Sequence, residues 1–187
     1  MPSVDPVRIT LPAAAAGAAR RPVIAAVVQQ HAEEAAFLRS LRTRLVRAPH
    51  VGLLQLGRLD ERIAAHLDGL AVAGEDGTAR LVAALDGGGT GEVFALAVRA
   101  LEMRDAARLY RLLALVPVLN DDDGDGGWRG LVSALGWVPA PTLQGVVPRL
   151  LASSQPEARA AALAACRMHR VDPGAALARA VADDHAR

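Results

Sequence analysis

His31, Glu34 and His66 carry the side chains best suited to chemistry in this sequence. Imidazoles and carboxylates act as general acids and bases, and together they bind divalent ions. All three fall in one stretch, "HAEEAAFLRSLRTRLVRAPHVGLLQLGRLDERIAAHLDGL", which reads as two helices around a break at "APHVG". Folding that pair about His50 sets Glu34, sixteen residues before it, level with His66, sixteen after it, with His31 about one turn away. Glu61 and Asp68 share a different side of the second helix, so the polar groups cannot all converge. Two imidazoles and a carboxylate can hold a metal, but the spacing matches no strong metal motif and forces no fourth ligand into place. The alternative is a hydrogen-bonded polar cluster that fixes the pairing of two long helices. That second reading is the expectation, with no catalytic residue, no metal and no cofactor assigned.

The remaining chemical candidates are weaker. "DDDGDG", Asp121 to Gly126, fits the first half of a calcium loop, but its twelfth position is Val132 where a bidentate glutamate is needed. It precedes a helix, where acidic residues oppose the positive end of the dipole. "DGGGTGE", Asp86 to Glu92, has no lysine and follows no strand, so it reads as a helix stop with Thr90 as a cap and not as a phosphate loop. Ser133 and Ser153 stand in no nucleophile-elbow context. Cys166 falls at an apolar position and reads as packing. Arg39, Arg42, Arg44 and Arg47 make the end of the first helix basic, which suits a nucleic acid or another acidic partner. Base stacking, however, needs aromatic side chains that this stretch lacks.

Composition narrows the classes. The chain has 187 residues, enough for one domain with a real core. Apolar residues make up 52%, yet aromatics only 3%, which favours closely packed helices over sheets. All 21 basic residues are arginine, as expected of coding in a GC-rich genome, and the net charge is only +1. A nucleic-acid binder normally carries a clear basic excess. A lone cysteine excludes an internal disulfide framework and suits a reducing cytoplasm. No apolar run approaches a membrane span. In "LPAAAAGAARR" the arginines follow the apolar stretch, the reverse of a secretory signal, so residues 1–21 read as a disordered tail.

The elements follow from periodicity. Pro22 opens a helix running to about Ala48, with Ile24, Val28, His31, Ala35, Leu38 and Leu45 on one stripe. A second runs from about Leu53 to Val72, with Leu56, Leu59, Ile63, Leu67 and Leu70 inward, and "AGEDG" ends it. Residues 22–73 therefore form a long antiparallel hairpin. Beyond it, three segments align without gaps: "FALAVRALEM", "WRGLVSALGW" and "RAAALAACRM". Leu101, Leu135 and Cys166 coincide, as do Ala100, Ala134 and Ala165, and Met103, Trp137 and Met168 share a large side chain. A period near 30 residues with a small residue in mid-helix predicts an α-solenoid, the alanine admitting a neighbouring helix and the larger residue filling the gap between layers. "AARLYRLLALV", "LQGVVPRLLA" and "GAALARAVA" supply the partner helices. "SQPE" at Ser154 has capping-box spacing, and Asp172 before Pro173 reads as an N-cap. The last residues, "ADDHAR", resemble "ASSQPEAR", after which another helix would follow, so residues 74–187 read as a truncated repeat array.

"QHAEEAAFL", "LDERIAAHLDGLAVAG", "GEVFALAVRALE", "LVSALGWV" and "HRVDPGAAL" carry a resemblance across nearly the whole chain from Val23. They resemble an uncharacterised bacterial family of HEAT-repeat proteins, whose repeats are similar to those of phycobilisome lyases. Similar proteins carry a tryptophan after "AFL", where this chain has Arg39, and are about twice as long. The resemblance implies HEAT-like helical pairs and a scaffold for macromolecular contacts. Genes for such proteins lie in some cases near type VI secretion genes. No activity is established for the family, so none carries over. The expected protein is all-α, non-enzymatic and cytoplasmic, and binds another protein. The rival expectations are a metal or acid–base site at His31, Glu34 and His66, and nucleic-acid binding through the arginines of the first helix.

Overall fold

The computed structural model describes residues 22–87, 89–119 and 125–182, and all regular structure among them is helical. Residues 1–21, residue 88, residues 120–124 and the final five residues lie outside that description. The first two helices are α1 (Ala25–Leu45) and α2 (Leu53–Val72). Pro22 does not open α1: Pro22 to Ile24 precede the helix, exposed and with no side-chain cap to hold a first turn. The chain leaves α1 before Ala48, because the residue ahead of Pro49 disfavours helical backbone. Gln55 starts α2 by reaching back to accept a hydrogen bond from the Gly52 amide at 3.0 Å. Leu56, Leu59, Ile63, Leu67 and Leu70 are all buried, the five positions that periodicity places inward.

Shorter helices follow: α3 (Glu75–Ala84), α4 (Thr90–Glu102), α5 (Ala106–Leu115), α6 (Gly126–Trp137), α7 (Val146–Leu151), α8 (Pro156–His169) and α9 (Ala175–Val181). "AGEDG" separates α2 from α3 by only Ala73 and Gly74, the glycine at φ +60°, and Glu75 and Asp76 already belong to the acidic first turn of α3. Three caps differ from expectation. Gly89 is the N-cap residue of α4, and Thr90 is buried inside the helix. Gln155 precedes α8, because Pro156 sets the first turn and leaves Ser154 outside it. The Asp172 carboxylate accepts from the Gly174 amide at 2.8 Å and so shapes a turn, while α9 begins beyond it. By contrast Asp105 caps α5 directly, accepting from the Arg108 amide at 2.8 Å.

Helices α1, α4, α6 and α8 pack in sequence as one row. On its flanks, α2 and α3 pack on α1, α3 and α5 on α4, and α7 and α9 on α8. The three self-similar segments are therefore neighbours in space, lying in α4, α6 and α8. Helix α4 is central: eleven of its thirteen residues are buried, as expected of a helix enclosed on every side. Small residues set the closeness. Gly91 of α4 lies against the Ala36 backbone of α1, and Gly130 of α6 against the Thr90 carbonyl and Phe94 amide of α4. Ala100, Ala134 and Ala165 are all buried. The large residue three places later does not fill a gap each time: Trp137 is half-buried, whereas Met103 and Met168 remain exposed and only touch a neighbour. The Met103 sulfur lies 3.7 Å from the Thr78 hydroxyl of α3, Trp137 meets Phe94 edge-on with centroids 5.4 Å apart, and Met168 covers Gly136 of α6. His169 ties α8 to α6 with Nε2 2.8 Å from the Leu135 carbonyl. No helix among the described residues is long and apolar enough to cross a membrane.

Candidate functional site

Antiparallel pairing of α1 and α2 brings His31 and His66 together. Their Nδ1 atoms stand 3.0 Å apart, with ring centroids at 5.2 Å and planes inclined by 63°. Gly69, one turn beyond His66, makes room: a β-carbon there would lie 2.6 Å from His31 Nε2. At this separation one Nδ1 carries the shared proton and the other accepts it, so at least one ring is neutral. Burial holds the His66 pKa below the usual imidazole value, the charge of His31 adds to that, and Glu34 partly offsets it. Glu34 therefore acts on the pair through its charge, and the imidazole level with His66 is that of His31. Two nitrogens on one tetrahedral zinc, bound at about 2.0–2.1 Å, stand about 3.3 Å apart, so the pair's spacing suits a shared metal as well as a shared proton. Among the described residues no group of three histidine, cysteine or carboxylate side chains is arranged to hold a metal.

The four arginines of α1 divide. Arg39 turns inward: its guanidinium lies over the Phe94 ring at 5.2 Å, donates to the Thr43 hydroxyl at 2.9 Å, and donates to the Ser133 hydroxyl of α6. Burial, with the nearby charge of Arg42, pushes its pKa down to about 10, which leaves it charged at neutral pH. Arg42 grips Asp60 of α2 in a two-pronged ion pair, Nε at 2.5 Å and the second nitrogen at 3.0 Å, and the bond to Asp60 raises its pKa. Arg44 and Arg47 are exposed. Thus Arg39 and Arg42 hold α1 to α4, α6 and α2, and Arg44 and Arg47 alone of the four face outward.

A cleft with a volume of about 270 Å³ opens between the flanking helices α5 and α7, with Ala100 and Leu101 of α4 at its base. Leu109, Val146 and Leu150 continue the apolar floor, and Arg104, Tyr110, Gln144 and Arg149 add polar groups. Periodicity gave no sign of this cleft, because its lining comes from three separate helix ends and no single motif spans them. A smaller cleft of about 140 Å³ lies beside Leu143, Val147, Cys166 and His169, and burial there pushes the Cys166 thiol pKa up, away from a reactive thiolate. Asp125, the described member of the acidic run's alternating aspartates, ion-pairs with Arg129 one turn into α6 at 2.8 Å. Asp121 and Asp123 lie outside the described residues.

No family model matches the chain, no curated protein matches its sequence, and no solved structure matches its fold.

Proposed function

We propose that this chain is a non-enzymatic scaffold, a cytoplasmic α-solenoid of HEAT-like pairs behind a helical hairpin, which binds another protein along its stacked helices. The carrying observation is the row of self-similar helices α4, α6 and α8, which pack in sequence order with Ala100, Ala134 and Ala165 buried at the same place in each. A stack of this kind presents an extended surface between its flanking helices, and protein partners use such surfaces in repeat proteins. The spent chemistry of the polar residues supports the same reading: Arg39, Arg42, Asp60 and Asp105 are committed to internal contacts. The resemblance to uncharacterised HEAT-repeat proteins, with its link to type VI secretion genes, suggests where to look for the partner.

The test is affinity capture of the full chain from its native lysate after nuclease treatment. A stoichiometric protein partner is the expected result. A preparation that captures none but turns over a substrate refutes the reading.

One observation favours a second reading, a metal or acid–base site at His31, Glu34 and His66: the 3.0 Å separation of two imidazole nitrogens. Metal analysis of protein purified without a polyhistidine tag separates the two. Stoichiometric metal lost on His66→Ala establishes a site there, and only traces of metal leave the pair as a structural hydrogen bond.

A further inference from the structure

The cleft between α5 and α7 combines apolar lining with two exposed arginines. Leu101, Leu109 and Leu150 lie buried beneath the cleft, and Ala106 and Val146 supply the apolar surface still open to it. Arg104 and Arg149 are exposed, one from each side, and neither has a carboxylate partner among the described residues. The one carboxylate in the lining is already committed: Asp105 caps α5 and pairs with Arg108 at 3.0 Å. Glu102, next along α4, is held by Arg99 at 2.7 Å. The cleft is therefore locally positive on a protein whose net charge is only +1.

At about 270 Å³ the cleft lies at the small end of sites that enclose a ligand, and the two arginines at its lips favour an occupant with negative charge at both ends. It suits one apolar side chain of an extended segment with charged neighbours on either side. Tyr110 and Gln144 offer hydrogen bonds to the backbone of such a segment. Nucleic acid fits less well, since Tyr110 is the lining's single aromatic ring and stacking of successive bases needs several.

We infer that this cleft receives an acidic, extended segment of the partner protein, with an apolar residue seated against Ala106 and Val146 and flanking carboxylates paired to Arg104 and Arg149. The inference rests on the scaffold reading and names the partner chemistry of that surface. Charge-assisted pairing at the two lips sets the register of the segment, and the seated side chain supplies the apolar burial.

The experiment pans a random-peptide display library against the full chain and measures the enriched peptide by fluorescence anisotropy. Enriched sequences are expected to carry aspartate or glutamate on both sides of an apolar residue. Arg104→Glu combined with Arg149→Glu should weaken that peptide about 10- to 100-fold, and a peptide with lysine in place of its acids should bind the variant better than the wild type. Both arginines are exposed, so an unchanged circular dichroism melt is the folding control. Enrichment of no acidic pattern overturns the inference, as does equal binding of the peptide by variant and wild type. Binding of a single-stranded oligonucleotide that the variant loses, with no peptide enriched, also overturns it. Lysate capture distinguishes the two levels. A partner retained equally by wild type and double variant sinks the cleft and leaves the scaffold standing, whereas absence of any stoichiometric partner sinks the scaffold.

Discussion

Replacing Gly130 with alanine tests the closest approach in the helix row, and Gly57 provides its internal control. Both glycines lie inside helices, so both substitutions gain the same helix propensity, about 1 kcal/mol of stabilisation. At Gly57 a β-carbon meets nothing within 4 Å. Gly57→Ala is therefore expected to stabilise by about that full amount. At Gly130 the same atom would lie 2.5 Å from the Thr90 carbonyl oxygen, 2.9 Å from Val93 Cβ and 3.0 Å from the Phe94 amide nitrogen. Two of those neighbours are backbone, which cannot move aside by changing rotamer, so α6 must lift off α4. Overpacking of a well-packed site costs about 1–3 kcal/mol, and rigid backbone places this case towards the upper end. The propensity gain cancels between the variants, leaving Gly130→Ala about 1–3 kcal/mol less stable than Gly57→Ala. Urea unfolding followed by circular dichroism reads the difference. With a slope of about 2–3 kcal/mol per molar, the two midpoints should separate by about 0.5–1.5 M. If Gly130→Ala raises the midpoint as much as Gly57→Ala, α4 and α6 do not meet at this glycine and the row is wrongly packed.

Three further perturbations address the polar contacts and one helix end. Arg39→Ala removes a ring contact and its hydrogen bonds to Thr43 and Ser133, and should cost about 2–3 kcal/mol in chemical denaturation, whereas Arg47→Ala on the exposed face should stay within about 0.5 kcal/mol of wild type. His66 has a folded pKa below its unfolded value, so the unfolded chain takes the proton first. Stability should be full above the usual imidazole pKa and fall as pH drops through the lower folded value, and thermal melts from pH 8 to 5 should show that slope reduced in His66→Gln. Arg170 closes α8 in the left-handed region at φ +56°, where a β-carbon is strained, and Arg170→Gly should raise the unfolding free energy by about 1 kcal/mol.

The α2 core stripe, from Leu56 to Leu70, and the self-similarity of α4, α6 and α8 were legible without coordinates, because both depend on periodicity along a single helix and periodicity is local. The hairpin register was legible to within about one turn. It set Glu34 level with His66 and His31 about one turn away, whereas His31 is the residue that meets His66, since the turn's own geometry shifts the level by a few residues. The fate of the arginines lay beyond reach: Arg39 and Arg47 are eight apart on one helix, yet one is half-buried over Phe94 and the other is exposed. That outcome depends on which face of α1 meets α4 and α6, a contact made across more than fifty residues of sequence. The cleft between α5 and α7 was equally hidden, being assembled from helix ends that no motif connects. Helix content and the apolar faces are written in the order of the residues, because backbone hydrogen bonds and side-chain spacing act over one turn. Which polar groups are consumed inside the fold, and which are left facing outward, was decided only when α1 packed on α4 and when the ends of α4, α5 and α7 came together around one cleft.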